Sequence, residues 1–428
     1  MWRIPPCEGG RHAARPHLRR TGPVSTRDVL VAGGGIGGLS AALAMAQAGQ
    51  GVRVLERAAE FAELGAGLQM APNASRVLDR LGVLDQVIEV GVLPRRLTFR
   101  SALTGAELAS LDVGEPFRRR YGAPYVVLHR SDLLNILADA CRAAGVALTP
   151  DAEVRSVTDA GDEVGVWCAD GTGYRGSALI AADGLHSRLR QMFSPDVPVE
   201  AGYVAYRGTA DVSQVTRHSG LDEVVAWIGP GLHLVQYPLR AGTLYNQVAV
   251  FRSRQFAAGQ PDWGTPDELD ATFAVCCAPV REATASLWRD RRWPMCDRLP
   301  MDNWVSGRVA LLGDAAHPML QYLAQGACQA IEDADVLAGA LGRHADPDGA
   351  QIPAALAEYA RVRAPQAARV QRAARLWGDI WHVDGVAAVL RDEVFTRHAP
   401  DDYRYTDWLY RPAIAGPAIA EPEGITVP

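Results

Sequence analysis

The residues DVLVAGGGIGGLSAALAMAQAGQGVRVLE, 28–56, restrict the fold more than any other stretch of this chain. A short apolar run, DVLVA, meets five glycines within residues 33–38. Apolar residues then recur at helical spacing until Gly49, and VRVLE follows as a second apolar run. Short apolar runs punctuated by glycine read as buried strands. The segment is therefore expected to form a strand (28–32), a turn (33–38), a helix (39–49) and a second strand (52–56), a β-α-β unit. Gly33, Gly35 and Gly38 fit G-x-G-x-x-G after a strand and at the opening of a helix. The first glycine permits the tight turn, the second lets a pyrophosphate approach the backbone, and the third lets the helix pack close to the strand. The helix start then turns its positive end to the phosphates. Glu56 ends the second strand 18 residues after Gly38, where a carboxylate can accept from a ribose diol and repel a 2′-phosphate. A bound dinucleotide is expected; this unit alone leaves FAD and NAD both open.

Composition narrows the chemistry. With 428 residues and 48% hydrophobic content, the chain has room for two or three domains. All 43 Lys-plus-Arg positions are Arg, so neither a Schiff-base Lys nor a P-loop Lys is available. A net charge of −6 offers no broad basic surface for nucleic acid. No apolar run reaches the ~18 residues of a membrane span. Seven Cys, odd in number and without C-x-x-C, point to a reduced, cytoplasmic chain. The ten His show no H-E-x-x-H, and no metal site is expected. Residues 1–26 are Arg-rich and lack an apolar h-region, so they read as a disordered tail rather than a signal peptide.

Further along, NASRVLDRLGVLDQVIEVG (73–91) has helical spacing with Asn73 as its N-cap. YVVLHRSDLLNILADACRAAG (125–145) reads as strand, cap and helix, and SALIAADGLHSRLR (177–190) as a buried strand entering a loop. From about residue 200 to 290 the pattern changes to short alternating strands, among them YVAYRGTAD, EVVAWIG, HLVQYPL and LYNQVAVF. They imply a second domain with a mostly antiparallel sheet. GRVALLGDAAHP returns to the first style, residues 351–400 read as Ala- and Arg-rich helix, and residues 403–412 as an aromatic tail.

The stretch LLGDAAHPMLQYLAQGA, 311–327, places Asp314 just past a buried strand and opens a helix at Gly326 and Ala327. A carboxylate there can accept from a ribityl hydroxyl. A free helix start carries unpaired N–H groups and partial positive charge, suited to the negative edge of a reduced flavin. These two features favour FAD over NAD as the resident dinucleotide. His233 and Tyr237 lie four apart on one expected strand and share a face. An imidazole at its ordinary pKa of ~6.5 suits the removal of a phenolic proton. His317, beside Pro318, reads as structural.

Three ordered motifs carry a resemblance to the class A flavin-dependent aromatic hydroxylases over about residues 28–412: GGGIGGLSAALAMAQAGQGVRVLER, LIAADGLHSRLR and VALLGDAAHPMLQYLAQGA. The resemblance implies an α/β fold: a Rossmann-like FAD-binding domain of the p-hydroxybenzoate-hydroxylase type, an inserted mostly antiparallel substrate sheet, and C-terminal helices. The FAD domain is expected from residues 27–98, 121–198 and 296–345, and the substrate domain from 99–120 and 199–295, with helices and tail at 346–428. Implied FAD contacts are Gly33, Gly35, Ile36, Gly38, Glu56, Arg57, Gln69, Arg130, Asp183, Asp314, Gly326 and Ala327. The substrate pocket is implied at Tyr125, Tyr237, His233 and Gln321, with Arg207 a candidate for a carboxylate. His233 is expected as the base, assisted by Gln321 and Tyr237.

The chemistry implied by the resemblance runs from NADH to FAD to O2. A C4a-hydroperoxyflavin forms, and oxygen passes to a phenolic aromatic acid: 3-hydroxybenzoate would become 2,5-dihydroxybenzoate. Salicylate hydroxylation with loss of CO2 is the alternative within the family. A flavin-dependent halogenase needs a Lys that this chain lacks, and a redox-inactive binding protein is the alternative outside enzymes. A homodimer is expected by analogy.

Overall fold

The computed structural model describes residues 28–61, 66–214, 221–345 and 349–411. The tail expected at residues 1–26 lies outside the described residues.

Strand Val29–Ala32 is the centre of a six-stranded sheet, with parallel neighbours Val52–Leu55 and Ala178–Ala181. Ala147–Thr149 and Val309–Leu311 extend it in parallel, and Val305–Ser306 closes one edge antiparallel. All four residues of Val29–Ala32 are buried, as a strand covered on both faces requires. Helix Ile36–Gln47 packs between helices Arg130–Ala143 and Gly326–Arg343. It begins at Ile36, so the turn is shorter than expected and Gly37 and Gly38 belong to the helix. Within that first turn Gly38 comes so near the loop that a Cβ there would fall 2.0 Å from the Gly33 carbonyl oxygen.

The second sheet has seven strands, ordered Trp293–Asp297, Val199–Asp211, Leu244–Arg252, Leu232–Leu239, Glu223–Gly229, Arg96–Ser101 and Glu107–Asp112. It is antiparallel except where Glu223–Gly229 runs parallel to Arg96–Ser101. Strand Arg96–Ser101, next to one edge, and edge strand Trp293–Asp297 reach slightly beyond the expected domain limits at residues 99 and 295. Alternation divides its side chains. One face carries Tyr206, Trp227, Leu234 and Phe251 against helix Pro266–Phe273. The other carries Ala205, Ala226, Val235, Val248 and Val250 toward Tyr322 and Trp381.

One expected helix is two. The 73–91 pattern divides into Pro72–Arg80 and Leu84–Val90, because Gly82 adopts φ +73° between them. Asn73 is not the cap; Ala71 holds that position, and the buried Asn73 amide donates to Gln325 Oε1 at 2.9 Å. At the C-terminal end, helix Ile352–His382 packs along helix Gly326–Arg343 and reaches the second sheet with its last turns. Helix Gly385–Thr396 covers strand Glu107–Asp112. The aromatic tail is anchored edge-to-face, Tyr403 and Tyr410 against Phe117 and Tyr121. No helix among the described residues is long and apolar enough to cross a membrane.

Candidate active site

One cavity of 1380 Å³ runs between the two sheets, and all seventeen residues named above as cofactor or substrate contacts line it. Its phosphate end is made of backbone. Gly33 sits at φ +110°, and a Cβ there would lie 2.3 Å from the Ala182 carbonyl oxygen. A Cβ on Gly35 would meet nothing within 4 Å, because this residue faces the open cavity. Glu56 turns its carboxylate back on the loop: the Gly34 N–H donates to Oε2 at 2.6 Å and the Ala58 N–H to Oε1 at 2.8 Å. Each oxygen keeps a lone pair for a ribose hydroxyl. Ile36 is buried under the turn, and exposed Arg57 follows Glu56 at the rim.

Asp183 is already engaged. It accepts from Ser187 Oγ at 2.6 Å and from the Arg188 N–H at 3.0 Å, which closes its own loop. From that loop the buried Arg190 guanidinium reaches the carbonyls of Ala315 and Ala316 at 3.0 and 2.6 Å. It thereby ties the second motif to the third.

Asp314 lies opposite the start of helix Gly326–Arg343, 3.8 Å from where a Cβ on Gly326 would sit. No side chain caps that helix; Gln325, at the cap position, spends its Oε1 on Asn73 and Gln329. The first N–H groups at Gly326 and Ala327 thus face the cavity. The loop is pinned from beneath by buried Asp333, which accepts from the Gly313 N–H at 3.0 Å, His317 Nε2 at 2.6 Å and Arg363 Nε at 2.7 Å. Burial alone would raise this carboxyl, but His317 and Arg363 outweigh it and hold it at about 2. His317 is fully buried and holds the loop, as its place beside Pro318 suggested.

The other end of the cavity is made of side chains. Strand register puts Arg207, Val248, Val235, Ala226, Phe99 and Ala109 in one row across six strands, and all six face the cavity. His233 and Tyr237 flank Val235 along the same strand. Arg207 makes no ion pair among the described residues. Its Nη2 is 3.5 Å from Gln321 Oε1, its guanidinium lies 5.6 Å over the Trp293 ring, and its Nε has no partner. Burial lowers its pKa, a sign of a poorly compensated cation.

Tyr125 donates to Gln69 Oε1 at 2.6 Å, and Tyr237 also hydrogen-bonds Gln69. Gln69, expected on the cofactor, therefore also organises the two phenols. Burial raises the pKa of both phenols, so they remain donors. Arg130 lines the cavity from the start of helix Arg130–Ala143.

His233 departs from expectation. Its imidazole does not sit at an ordinary pKa; burial, and next His382, push it well below. Its Nδ1 is 2.8 Å from His382 Nε2. His382 was not foreseen, nor were Trp377, Trp381 and Phe395, which roof the cavity from the C-terminal helices. Trp377 and Trp381 stand four apart on one helix, a spacing visible in the sequence, but nothing local says which sheet they meet.

A family model described as an FAD binding domain matches residues 26–374. The 3-hydroxybenzoate 6-hydroxylase 1 of Aquipseudomonas alcaligenes is 40% identical over 390 residues, 90% of this chain and 97% of that one. The chain belongs to the class A flavin-dependent aromatic hydroxylases. The 3-amino-4-hydroxybenzoate 2-monooxygenase of Streptomyces cremeus is 37% identical, covering 90% of this chain and 95% of its own. Among solved structures, Klebsiella pneumoniae HpxO complexed with FAD and uric acid aligns with TM-score 0.76 at 29% identity, over 87% of this chain and 93% of that one. A salicylate hydroxylase substrate complex aligns with TM-score 0.73 at 26% identity, over 90% and 95%.

This hydroxylase is a flavin-dependent monooxygenase whose cofactor is FAD, with O2 and a nicotinamide co-substrate. The residues present fit FAD. The glycine turn is open only at Gly35, where a pyrophosphate would pass, and the Gly326 helix start is uncapped beside Asp314. The cavity also exceeds the ~300–1,000 Å³ of an ordinary small-molecule site, leaving room for a dinucleotide and a second molecule.

Proposed function

We propose that this hydroxylase converts 3-hydroxybenzoate to 2,5-dihydroxybenzoate with NADH. The observation that carries the proposal is Arg207, a cation without an ion pair among the described residues, at one end of an apolar floor of Val248, Val235 and Ala226. A cation so placed calls for an anion, and an aromatic carboxylate supplies one with a flat ring behind it. The floor's small side chains leave space for that ring. His233 flanks the floor, neutral and able to take a phenolic proton. Tyr237 and the hydrogen-bonded Tyr125–Gln69 pair border the same space, and Gln321 sits beside Arg207. The relatives named 3-hydroxybenzoate 6-hydroxylase supply the substrate and ring position.

Bound FAD supplies the electron transfer from NADH and the activation of O2. The balance is NADH, H⁺, O2 and substrate giving NAD⁺, water and hydroxylated product. The chain orients the acid through Arg207, deprotonates its phenol through His233, and excludes water with Trp377, Trp381 and Phe395. Glu56, held by the Gly34 and Ala58 N–H groups, would accept from the ribose of the bound FAD.

The test is NADH consumption by the FAD-loaded enzyme across the hydroxybenzoate isomers and 3-amino-4-hydroxybenzoate, with products identified by mass and ring position. One 2,5-dihydroxybenzoate per NADH from 3-hydroxybenzoate is expected. Catechol and CO2 from salicylate, or turnover restricted to the amino acid, would replace this assignment.

A further inference from the structure

His233 and His382 meet across 149 positions of sequence. Their rings are 19° from coplanar with centroids 5.1 Å apart, and Nδ1 of one is 2.8 Å from Nε2 of the other. That is an in-plane N–H···N bond rather than a stack. His233 faces the cavity; His382 lies behind it, ending helix Ile352–His382, and keeps 9% exposure. The surroundings disfavour charge on either ring. Trp381 and Tyr322 pack on His233 at 5.1 and 5.5 Å, and Tyr203 stacks on His382 at 4.7 Å. Arg391, from helix Gly385–Thr396, adds to burial in pushing His382 down to about 3. Asp379 acts on Tyr203 and Tyr322. Among the described residues no carboxylate bonds to either imidazole.

A hydrogen bond between two neutral imidazoles holds a single proton, and its placement decides the chemistry. If His382 donates, His233 carries its own proton on Nε2 and can only donate into the cavity. If His233 donates from Nδ1, its Nε2 presents a lone pair to the cavity. Only the second arrangement makes a base.

We infer that His382 is a positioning residue: it accepts from His233 Nδ1, fixes the basic tautomer of His233, and carries the abstracted proton out of the cavity. This rests on the phenolic-acid reading above. The step balances without a resident cation. The phenol O–H bond breaks and its proton joins His233 Nε2. The Nδ1 proton of His233 passes to His382 Nε2, and the Nδ1 proton of His382 leaves to water. Both rings end neutral with their tautomers exchanged. A lone His233 would have to hold the charge in a site where burial opposes it.

The experiment uses the FAD-loaded full chain. Long-range ¹⁵N–¹H spectra of ¹⁵N-histidine-labelled, ligand-free enzyme read the tautomers; both rings protonated on Nδ1 is the expected result. A His233 protonated on Nε2 overturns the inference. Next, 3-hydroxybenzoate is titrated onto oxidised enzyme across pH, and its ultraviolet spectrum reports phenol against phenolate. His382→Phe keeps a ring on Tyr203 but cannot accept. It should raise the bound phenol's pKa by about one unit or more and slow coupled hydroxylation at least ~10-fold with KM changed less than about threefold. His382→Gln, whose Oε1 accepts from Nδ1 but cannot take up the proton, should keep His233 protonated on Nδ1 in the ligand-free spectra while hydroxylation stays slow; it also serves if the Phe variant does not fold. Wild-type ionisation of the ligand in His382→Phe would leave His382 a packing residue and end the proposal. An enzyme that binds no 3-hydroxybenzoate refutes the substrate assignment, and the ligand-free tautomers still decide this inference.

Discussion

The two ends of the cavity are built by opposite means. At the glycine-rich end the groups lining it are peptide groups: Gly33, Gly35 and the start of helix Gly326–Arg343. At the ring end they are side chains, Arg207, His233 and Tyr237, projecting from neighbouring strands. A peptide group stays where its strand and turn put it, so the first end tolerates few changes of shape and many of surface chemistry. A side chain can be exchanged without moving the sheet, so the second end can change substrate while the first keeps its cofactor. The solved neighbours, one holding uric acid and one described as a salicylate hydroxylase, share the frame while differing in ring chemistry.

That contrast can be broken by mutation. Gly38→Ala should have the largest effect, because its Cβ would lie 2.0 Å from the Gly33 carbonyl oxygen. Flavin content after purification should fall nearly to zero, read from the flavin-to-protein absorbance ratio. If the variant keeps its flavin, the cradle is more compliant than its geometry implies. Arg207→Gln should leave flavin content alone and weaken binding of the aromatic acid by roughly 100-fold, about 3 kcal/mol, as expected for loss of one partner of a buried ion pair. Spectral titration of the oxidised enzyme measures it. Loss of flavin in that variant would mean that Arg207 serves the cofactor.

Acid tests the loop beneath the cofactor. The Asp333 carboxyl lies at about 2 when folded, below its ordinary value of 3.8, so its contribution is complete above that ordinary value and lost as pH falls from there through about 2. About 2 kcal/mol of stability should disappear over that window. Asp333→Asn should flatten this part of the unfolding profile. His233 and His382 act earlier: both are depressed, so stability is present above ~6.5 and declines as pH drops below it. The smallest change is expected for Asp314→Ala, a loss of flavin affinity of about tenfold, on the scale of one charged hydrogen bond. Apo-enzyme titration with FAD measures it; unchanged affinity would remove Asp314 from the cofactor site.

The same contrast explains what could be read in advance. Gly33, Gly35 and Glu56 belong to one strand–turn–helix–strand unit, so their spacing carries their geometry. Asp183 and Asp314 likewise follow buried strands. The alternation in HLVQYPL showed that His233 and Tyr237 share a face. It did not show that Arg207 stands in row with Val235, because that depends on pairing through a third strand, Leu244–Arg252. His382 was illegible for a stronger reason. Its partner is 149 residues away, and a histidine at the end of a helix has many possible fates. Asn73 misled because a polar residue near a helix start usually caps it, whereas here its amide is recruited by Gln325, 252 residues on.

The roof has a consequence for assembly of the working enzyme. Trp377, Trp381 and Phe395 leave the ribosome after both halves of the cradle, the glycine turn at residues 33–38 and the helix that starts at Gly326. At about 5–20 residues per second, the completed cradle precedes its cover by only a few seconds. Until those residues are made, the ring end of the cavity has no roof.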